Sequence, residues 1–319
     1  MSPLPHEPFA IIVGTGHAAL GDAVARELGV ARGGCDIGRF PDGEVSVSLH
    51  EPVRGREVFI LQPTSPPVDQ NLVELLALVD ACRRASAARV TAVVPYFGYA
   101  RSDKRHHGRE PIMASAVARM LHGAGVDHLI TVDLHTAQIE GFFHIPMDSL
   151  SAVPVLCEAL RDRLPPDTVV ISPDEGRVKT ATAYARLLGA SVGVVHKERV
   201  SGAETRVMHV VGDVRDKACL IIDDMISTGG TIAAAIAALL AAGARPEIFV
   251  AATHGLLLRG ALEKLDHPAV REVLVTDTIE IKQPWPRLRV APVASLLADT
   301  IRGIASPPGN ERRRETSED

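Results

Sequence analysis

The chain has 319 residues, 46% of them hydrophobic and 3% aromatic, with 34 basic against 39 acidic residues and a net charge of −5. That length allows one large domain or two ordinary ones, with cores built mainly from Val, Ile, Leu and Ala. The slightly acidic balance excludes a nucleic-acid binder that works through a broad basic field, and no apolar run approaches the roughly 20 residues that span a bilayer.

Residues 1–9 hold three prolines and a glutamate but no basic stretch followed by an apolar run, so no secretory signal is expected. The first strand candidate, 10–13, runs through Gly14-Thr15-Gly16-His17-Ala18-Ala19 into a helix candidate at 18–28. This GxGxxA form has the context of a dinucleotide-binding turn. The stretch 30–40 offers no apolar second strand ending in an acid, however, so the turn reads as structural. Strand candidates follow at 58–61, 90–94, 129–132, 169–171, 192–195, 220–222, 248–252 and 273–275, with helix candidates at 71–84, 112–122, 153–163, 178–188, 232–242 and 256–264. Such alternation predicts mainly parallel sheets with helices on both faces. Gly243 stands where a helix C-terminus places glycine. At this length the strands suit two sheets rather than one, with the chain crossing between them in 147–153. A last amphipathic helix at 293–304 precedes 306–319, whose polar, charged, proline-containing composition is that of a disordered tail. Cys35, Cys82, Cys157 and Cys219 form no CxxC pair, which leaves a zinc ribbon or redox pair unsupported. Cys82 and Cys219 read as buried thiols, and a reducing cytoplasm is the simplest compartment. No short internal repeat is evident.

The strongest chemical signal lies at 220–231, Leu-Ile-Ile-Asp-Asp-Met-Ile-Ser-Thr-Gly-Gly-Thr. An apolar strand ends in two adjacent carboxylates, Asp223 and Asp224, and a Thr228-Gly229-Gly230-Thr231 turn opens an Ala-rich helix. The glycines let the backbone approach a ligand and point N–H groups at it. The helix N-terminus adds partial positive charge, so a phosphate belongs there, and Thr228 and Thr231 add hydroxyl donors. The carboxylates repel phosphate but suit ribose hydroxyls or a hydrated Mg²⁺. One strand–turn–helix therefore offers complementary chemistry to both ends of a sugar phosphate. His135, in Asp133-Leu134-His135 after the strand at 129–132, is placed to ligate a metal or a phosphate. His106, His107 and His122 lack such a context and read as surface residues.

From Asp223-Asp224 to Thr231 the chain resembles the phosphoribosyl-diphosphate signature shared by phosphoribosyltransferases and ribose-phosphate pyrophosphokinases. Other segments, in the pyrophosphokinase order, are similar to that second family. Phe40-Pro41-Asp42-Gly43-Glu44 resembles its loop that reaches the adenine site of a neighbouring subunit. Pro95-Tyr96-Phe97-Gly98-Tyr99-Ala100-Arg101-Ser102-Asp103 resembles its ATP-binding segment. Asp133-Leu134-His135, continued by Gln138-Ile139-Glu140-Gly141-Phe142-Phe143, resembles its metal and ATP site. Asp174 in Ser172-Pro173-Asp174-Glu175-Gly176-Arg177 resembles a second Mg²⁺ or ribose ligand. Lys197 and Arg199 match the basic pair of its catalytic loop, and 201–205 is small and polar, as a mobile lid should be. The resemblance runs from about Phe9 to Ile304. Ser102 stands where the family usually has Gln, Arg177 where it often has Gly, Thr180 where it has Arg, and Ser227 where bacterial members commonly have Asp.

The resemblance implies an α/β protein of two phosphoribosyltransferase-like domains, each a mainly parallel sheet flanked by helices. Residues 1–150, completed by the helix at 293–304, would form the ATP side, and 151–292 the ribose 5-phosphate side. It implies transfer of a diphosphate from ATP to the C1 hydroxyl of ribose 5-phosphate, giving 5-phosphoribosyl 1-diphosphate and AMP for nucleotide biosynthesis. Phe40, Asp42, Glu44, Arg101, Ser102, Asp103 and His135 would bind ATP. Asp223, Asp224, Ser227, Thr228, Gly229, Gly230 and Thr231 would bind ribose 5-phosphate. His135, Asp174 and Asp133 would hold Mg²⁺, and Lys197 and Arg199 would be catalytic. Neither nucleic acid nor membrane is an implied partner; a homo-oligomer of dimers assembled into a hexamer is. Two other readings share the signature: a phosphoribosyltransferase, which leaves the motifs at 40–44 and 96–103 unexplained, and a non-catalytic regulatory homologue, against which Lys197, Arg199, His135 and Asp174 argue.

Overall fold

The computed structural model describes residues 9–105, 107–199 and 206–305, with the backbone alone for 197–199 and 206–208. The expected lid at 201–205, the tail at 306–319 and His106 lie outside the described residues. The chain divides into two compact units, one ending at Leu150 and rejoined by residues 294–305, the other spanning Ser151–Val293.

In the first unit β1 (Phe9–Val13) leads to α1 (Ala18–Leu28), a hairpin of β2 (Cys35–Arg39) and β3 (Val45–Leu49), β4 (Glu57–Leu61), α2 (Val68–Arg84), β5 (Arg89–Val94), α3 (Met113–Ala124), β6 (His128–Val132) and β7 (Met147–Leu150). The main sheet runs β1-β4-β5-β6-β7, every neighbouring pair parallel. Its strands are apolar without alternation because both faces are covered; all of β1 and β6 is buried. The hairpin was not expected. Its β3, Val-Ser-Val-Ser-Leu, alternates with period two, and Val47 and Leu49 pack against the unit's core with Ile37 of β2. β7 was likewise read only as a crossing segment, whereas it is an edge strand paired with β6.

The second unit holds α4 (Val153–Leu160), β8 (Val169–Ser172), α5 (Val178–Leu188), β9 (Ser191–Arg199), β10 (Arg206–Val211), β11 (Cys219–Ile226), α6 (Gly230–Ala241), β12 (Ile248–Gly255), α7 (Ala261–Leu265), β13 (Val270–Thr276) and β14 (Leu288–Ala291). The sheet order is β10-β9-β8-β11-β12-β13-β14. Only the β9–β10 pair is antiparallel. From β8 the chain moves to β9 on one side, and β11 lies on the other, so the strand order reverses between β8 and β11. Right-handed crossovers leaving in opposite directions put α5 and α6 on opposite faces, opening a crevice beyond the strand ends at that switch point.

The helix expected at 256–264 is mostly absent. β12 continues to Gly255, Leu257 takes a positive φ of 42°, and its N–H and that of Leu258 donate to the carbonyls of Ile226 and Ser227 (both 2.9 Å). These bonds tie the chain to the end of β11, and only Ala261–Leu265 is helical. Finally, α8 (Ala294–Ala305) returns to the first unit, where Arg302 donates to the Glu27 carbonyl at 2.7 Å. Cys82 and Cys219 are buried, as their neighbours suggested. Burial pushes their thiols up to about 12 and about 11, so both stay protonated.

Candidate functional site

In the second unit the switch point gathers the residues singled out by chemistry. β11 carries Asp223 and Asp224 near its C-terminal end, two residues beyond which it stops at Ile226, and their side chains are 15% and 8% exposed. Two carboxylates so close and so dry resist ionising together. Burial first, then Asp224, pushes the Asp223 carboxyl up to about 8, while the Arg177 guanidinium pulls the other way. Arg177 Nη2 lies 2.8 Å from Asp224 Oδ2 and Nε lies 3.5 Å from Asp223 Oδ1. The Asp224 N–H adds a 2.8 Å bond to Asp223 Oδ1.

Beyond the carboxylates, Ser227, Thr228, Gly229, Gly230 and Thr231 line a small pocket with Asp223. Gly229 caps α6 with φ 71°, and a Cβ there would stand 3.1 Å from the Ala261 carbonyl oxygen. A side chain at this position would be strained and crowded at once. The first N–H groups of α6 have no acceptor within the helix and face an anion-sized opening with the positive end of the helix dipole behind them. The glycine turn expected to take a phosphate and Asp223 thus line the same pocket.

Across the switch point, β8 delivers Asp174. Its Oδ1 accepts the Gly176 N–H at 2.9 Å, and Ser172 Oγ donates to its carbonyl at 2.6 Å. The short 3-10 turn Glu175–Arg177 then swings Arg177 onto Asp223 and Asp224. From the sequence, Arg177 is notable only as standing where the resembling family often has Gly. Only the β8–β11 pairing brings it to the acids, so no local pattern could have flagged it. Glu175 meets His196 of β9 at 2.6 Å. Lys197 and Arg199 follow on β9, their backbones paired with Met208 and Arg206 of β10; their side chains lie outside the described residues.

In the first unit, two neighbouring strands deliver the other group. β5 leads into 95–103 and β6 into 133–138. Arg101 is exposed, and Asp133 and His135 are half-buried. Tyr99 and Asp133 hold φ values of 63° and 38°, the kind of backbone strain that concentrates at ligand sites. Ser102 Oγ accepts the N–H of Met113, the first residue of α3, at 3.2 Å. Asp103 is 5% exposed, and its Oδ2 accepts 2.6 Å hydrogen bonds from Thr136 Oγ1 and Gln138 Nε2. These bonds tie together the loops bearing Arg101 and His135. Phe40, Asp42 and Glu44 are exposed at the tip of the β2–β3 hairpin, with Phe40 at 53%. The turn is closed by Phe40 N–H to Glu44 O at 2.8 Å and Gly43 N–H to Phe40 O at 2.9 Å.

The GxGxxA turn is filled from within. Thr15 N–H donates to Glu74 Oε1 at 2.6 Å, and Gly16 N–H to Gln62 Oε1 at 2.9 Å. A Cβ on Gly14 would stand 2.2 Å from Gln62 Oε1. The glycines make room for buried side chains, and a pyrophosphate would find these N–H groups taken.

Among the described residues no group of three or more His, Cys, Asp or Glu side chains could hold a metal ion. Mg²⁺ typically keeps several waters and takes one or two protein carboxylates beside phosphate oxygens. By donor chemistry Asp133 and Asp174 suit Mg²⁺, while the His135 nitrogen suits a phosphate oxygen better. No helix among the described residues is long and apolar enough to cross a membrane.

Comparisons with known proteins cover most of the chain. A family model for the N-terminal domain of ribose phosphate pyrophosphokinase matches residues 9–125, and one for a phosphoribosyl synthetase-associated domain matches 200–308. The ribose-phosphate pyrophosphokinase of Chromobacterium violaceum is 43% identical over 303 residues, covering 94% of this chain and 92% of that protein. That of Thermotoga maritima is 41% identical over 297 residues, covering 92% and 94%. The crystal structure of phosphoribosylpyrophosphate synthetase from Mycobacterium smegmatis superposes with a TM-score of 0.88 at 42% identity, covering 93% of this chain and 99% of that one.

Proposed function

The chain belongs to the ribose-phosphate pyrophosphokinase family, and we propose from that premise that it makes 5-phosphoribosyl 1-diphosphate from ATP and ribose 5-phosphate. The anomeric C1 oxygen attacks the β-phosphorus of ATP, the bond from that phosphorus to the α-phosphate oxygen breaks, and AMP leaves. The observation that carries this reading is the strand–turn–helix from Asp223 to Thr231 at the switch point, where Asp223 and the glycine turn line one pocket and Asp224 stands beside Asp223.

Asp223 and Asp224 accept hydrogen bonds from the ribose hydroxyls. The turn 228–231, entered from Ser227, takes the 5-phosphate. The unit with residues 9–150 and 294–305 serves ATP: Arg101 and His135 meet its phosphates, and Phe40, Asp42 and Glu44 reach the adenine of a neighbouring subunit in a homo-oligomer of dimers forming a hexamer. Magnesium would be bound mainly through substrate oxygens, with Asp133 and His135 as candidate ligands in the first unit and Asp174 as one in the second, and it would supply charge neutralisation at the phosphates. Lys197 and Arg199 close over the transferring group. Diphosphoryl transfer needs positioning and charge stabilisation more than covalent participation, and the residues in these roles are charged groups and backbone N–H donors. A reducing cytoplasm suits the four free cysteines.

The test is turnover of the purified chain with ATP, ribose 5-phosphate and Mg²⁺, followed by AMP release, with and without phosphate and ADP. Release of AMP dependent on ribose 5-phosphate is expected with no nucleobase present. Turnover only when a base and the activated sugar are supplied would mark a phosphoribosyltransferase, and a folded chain without turnover would mark a regulatory homologue.

A further inference from the structure

Asp223 and Asp224 form a dense negative centre, and a cation from a neighbouring strand stands against it. The Arg177 side chain is 15% exposed and spans both acids, with Nη2 2.8 Å from Asp224 Oδ2 and Nε 3.5 Å from Asp223 Oδ1. Three features make this more than a surface ion pair. All three side chains are largely buried, so the charges are weakly screened. The guanidinium is planar and presents several donors in a fixed fork, so it orients both carboxylates together, which a lysine point charge cannot do. The arginine leaves a turn whose own geometry is fixed by Asp174 Oδ1 on the Gly176 N–H and Ser172 Oγ on the Asp174 carbonyl, so it approaches from a defined direction.

We propose that Arg177 is a positioning residue of the ribose site, its guanidinium bridging Asp223 and Asp224 so that both carboxylates present acceptor oxygens to the ribose hydroxyls. A rotated carboxyl would miss the sugar. With Arg177 across the pair, both side chains are held aligned before substrate arrives, which removes an ordering penalty from binding. The inference rests on the reading of Asp223 and Asp224 as ribose ligands.

The experiment compares Arg177→Ala, Arg177→Gln, Arg177→Lys and Asp224→Asn with the parent full-length chain. It measures KM for each substrate, kcat, and calorimetric binding of ribose 5-phosphate alone. Arg177→Ala and Arg177→Gln should weaken ribose 5-phosphate by about tenfold or more, the scale of a lost charge-assisted hydrogen bond, in both KM and direct binding. KM for ATP should change less than about twofold. Arg177→Lys should recover only part of the loss. Should the alanine variant fail to fold, the glutamine variant, which keeps a planar donor group but is shorter and uncharged, decides. Unchanged ribose 5-phosphate binding in the Arg177 variants, while Asp224→Asn abolishes it, would overturn the positioning role. So would equal losses for both substrates, or full rescue by lysine. Ribose 5-phosphate binding that also survives Asp224→Asn would instead sink the ribose assignment itself.

Discussion

Asp223 offers a test in which stability and function move in opposite directions. Its carboxyl is raised from 3.8 to about 8, by burial first and by Asp224 second. A raised acid holds its proton in the folded state after the unfolded chain has released it. The resulting stabilisation is fully present below about pH 4 and is lost as the pH rises through about 8. The ligand-free protein should therefore lose stability across that window, and Asp223→Asn, which cannot ionise, should not. At about 1.4 kcal/mol per pH unit the span from 3.8 to about 8 sets a ceiling of roughly 6 kcal/mol, and a gain of a few kcal/mol at pH 8.5 is expected. For a unit of this size each kcal/mol moves the melting temperature by about 2–4 °C. The chain's one tryptophan, Trp285, lies in the same unit, so its fluorescence reports melting there. The asparagine variant should melt higher than the parent at pH 8.5, converge with it towards pH 4, and bind ribose 5-phosphate poorly at every pH. A variant less stable at pH 8.5, or a difference independent of pH, would refute the claim that the unliganded acid pair is a strained centre.

Other consequences can be checked in parallel. Lys197→Ala should lower kcat by about 10²–10³ while changing the KM for ATP far less; equal losses in both, or no loss, would count against a role at the transferring group. Gly229→Ala puts a Cβ at φ 71° and 3.1 Å from the Ala261 carbonyl, and should cost about 1–3 kcal/mol in thermal or denaturant unfolding. The same variant should raise the KM for ribose 5-phosphate, because the phosphate turn can no longer close; wild-type values in both measurements would contradict the loop geometry.

Alternation of apolar runs with Ala- and Leu-rich segments was enough to read parallel sheets, because strands such as Arg89–Val94 and Ile248–Gly255 are buried on both faces and are therefore mostly apolar. The phosphate turn was equally legible, since its acids, glycines and helix start are contiguous and the chemistry is local. Elements held by non-local bonds were not. Val45–Leu49 carries period-two alternation that could have revealed it. The helix expected after Gly255 gave way to bonds from Leu257 and Leu258 to Ile226 and Ser227. Ser102 and Asp103 lie in one motif, yet only the tertiary structure brings Met113, Thr136 and Gln138 to their side chains. Arg177 makes the division clearest. The sequence by itself determined that an arginine follows Asp174 and that two acids end an apolar strand far downstream. Only the parallel register of β8 against β11, and the reversal of strand order between them, decided that one guanidinium would bridge both carboxylates, because charge pairing depends on distance and burial and neither is a property of spacing along the chain.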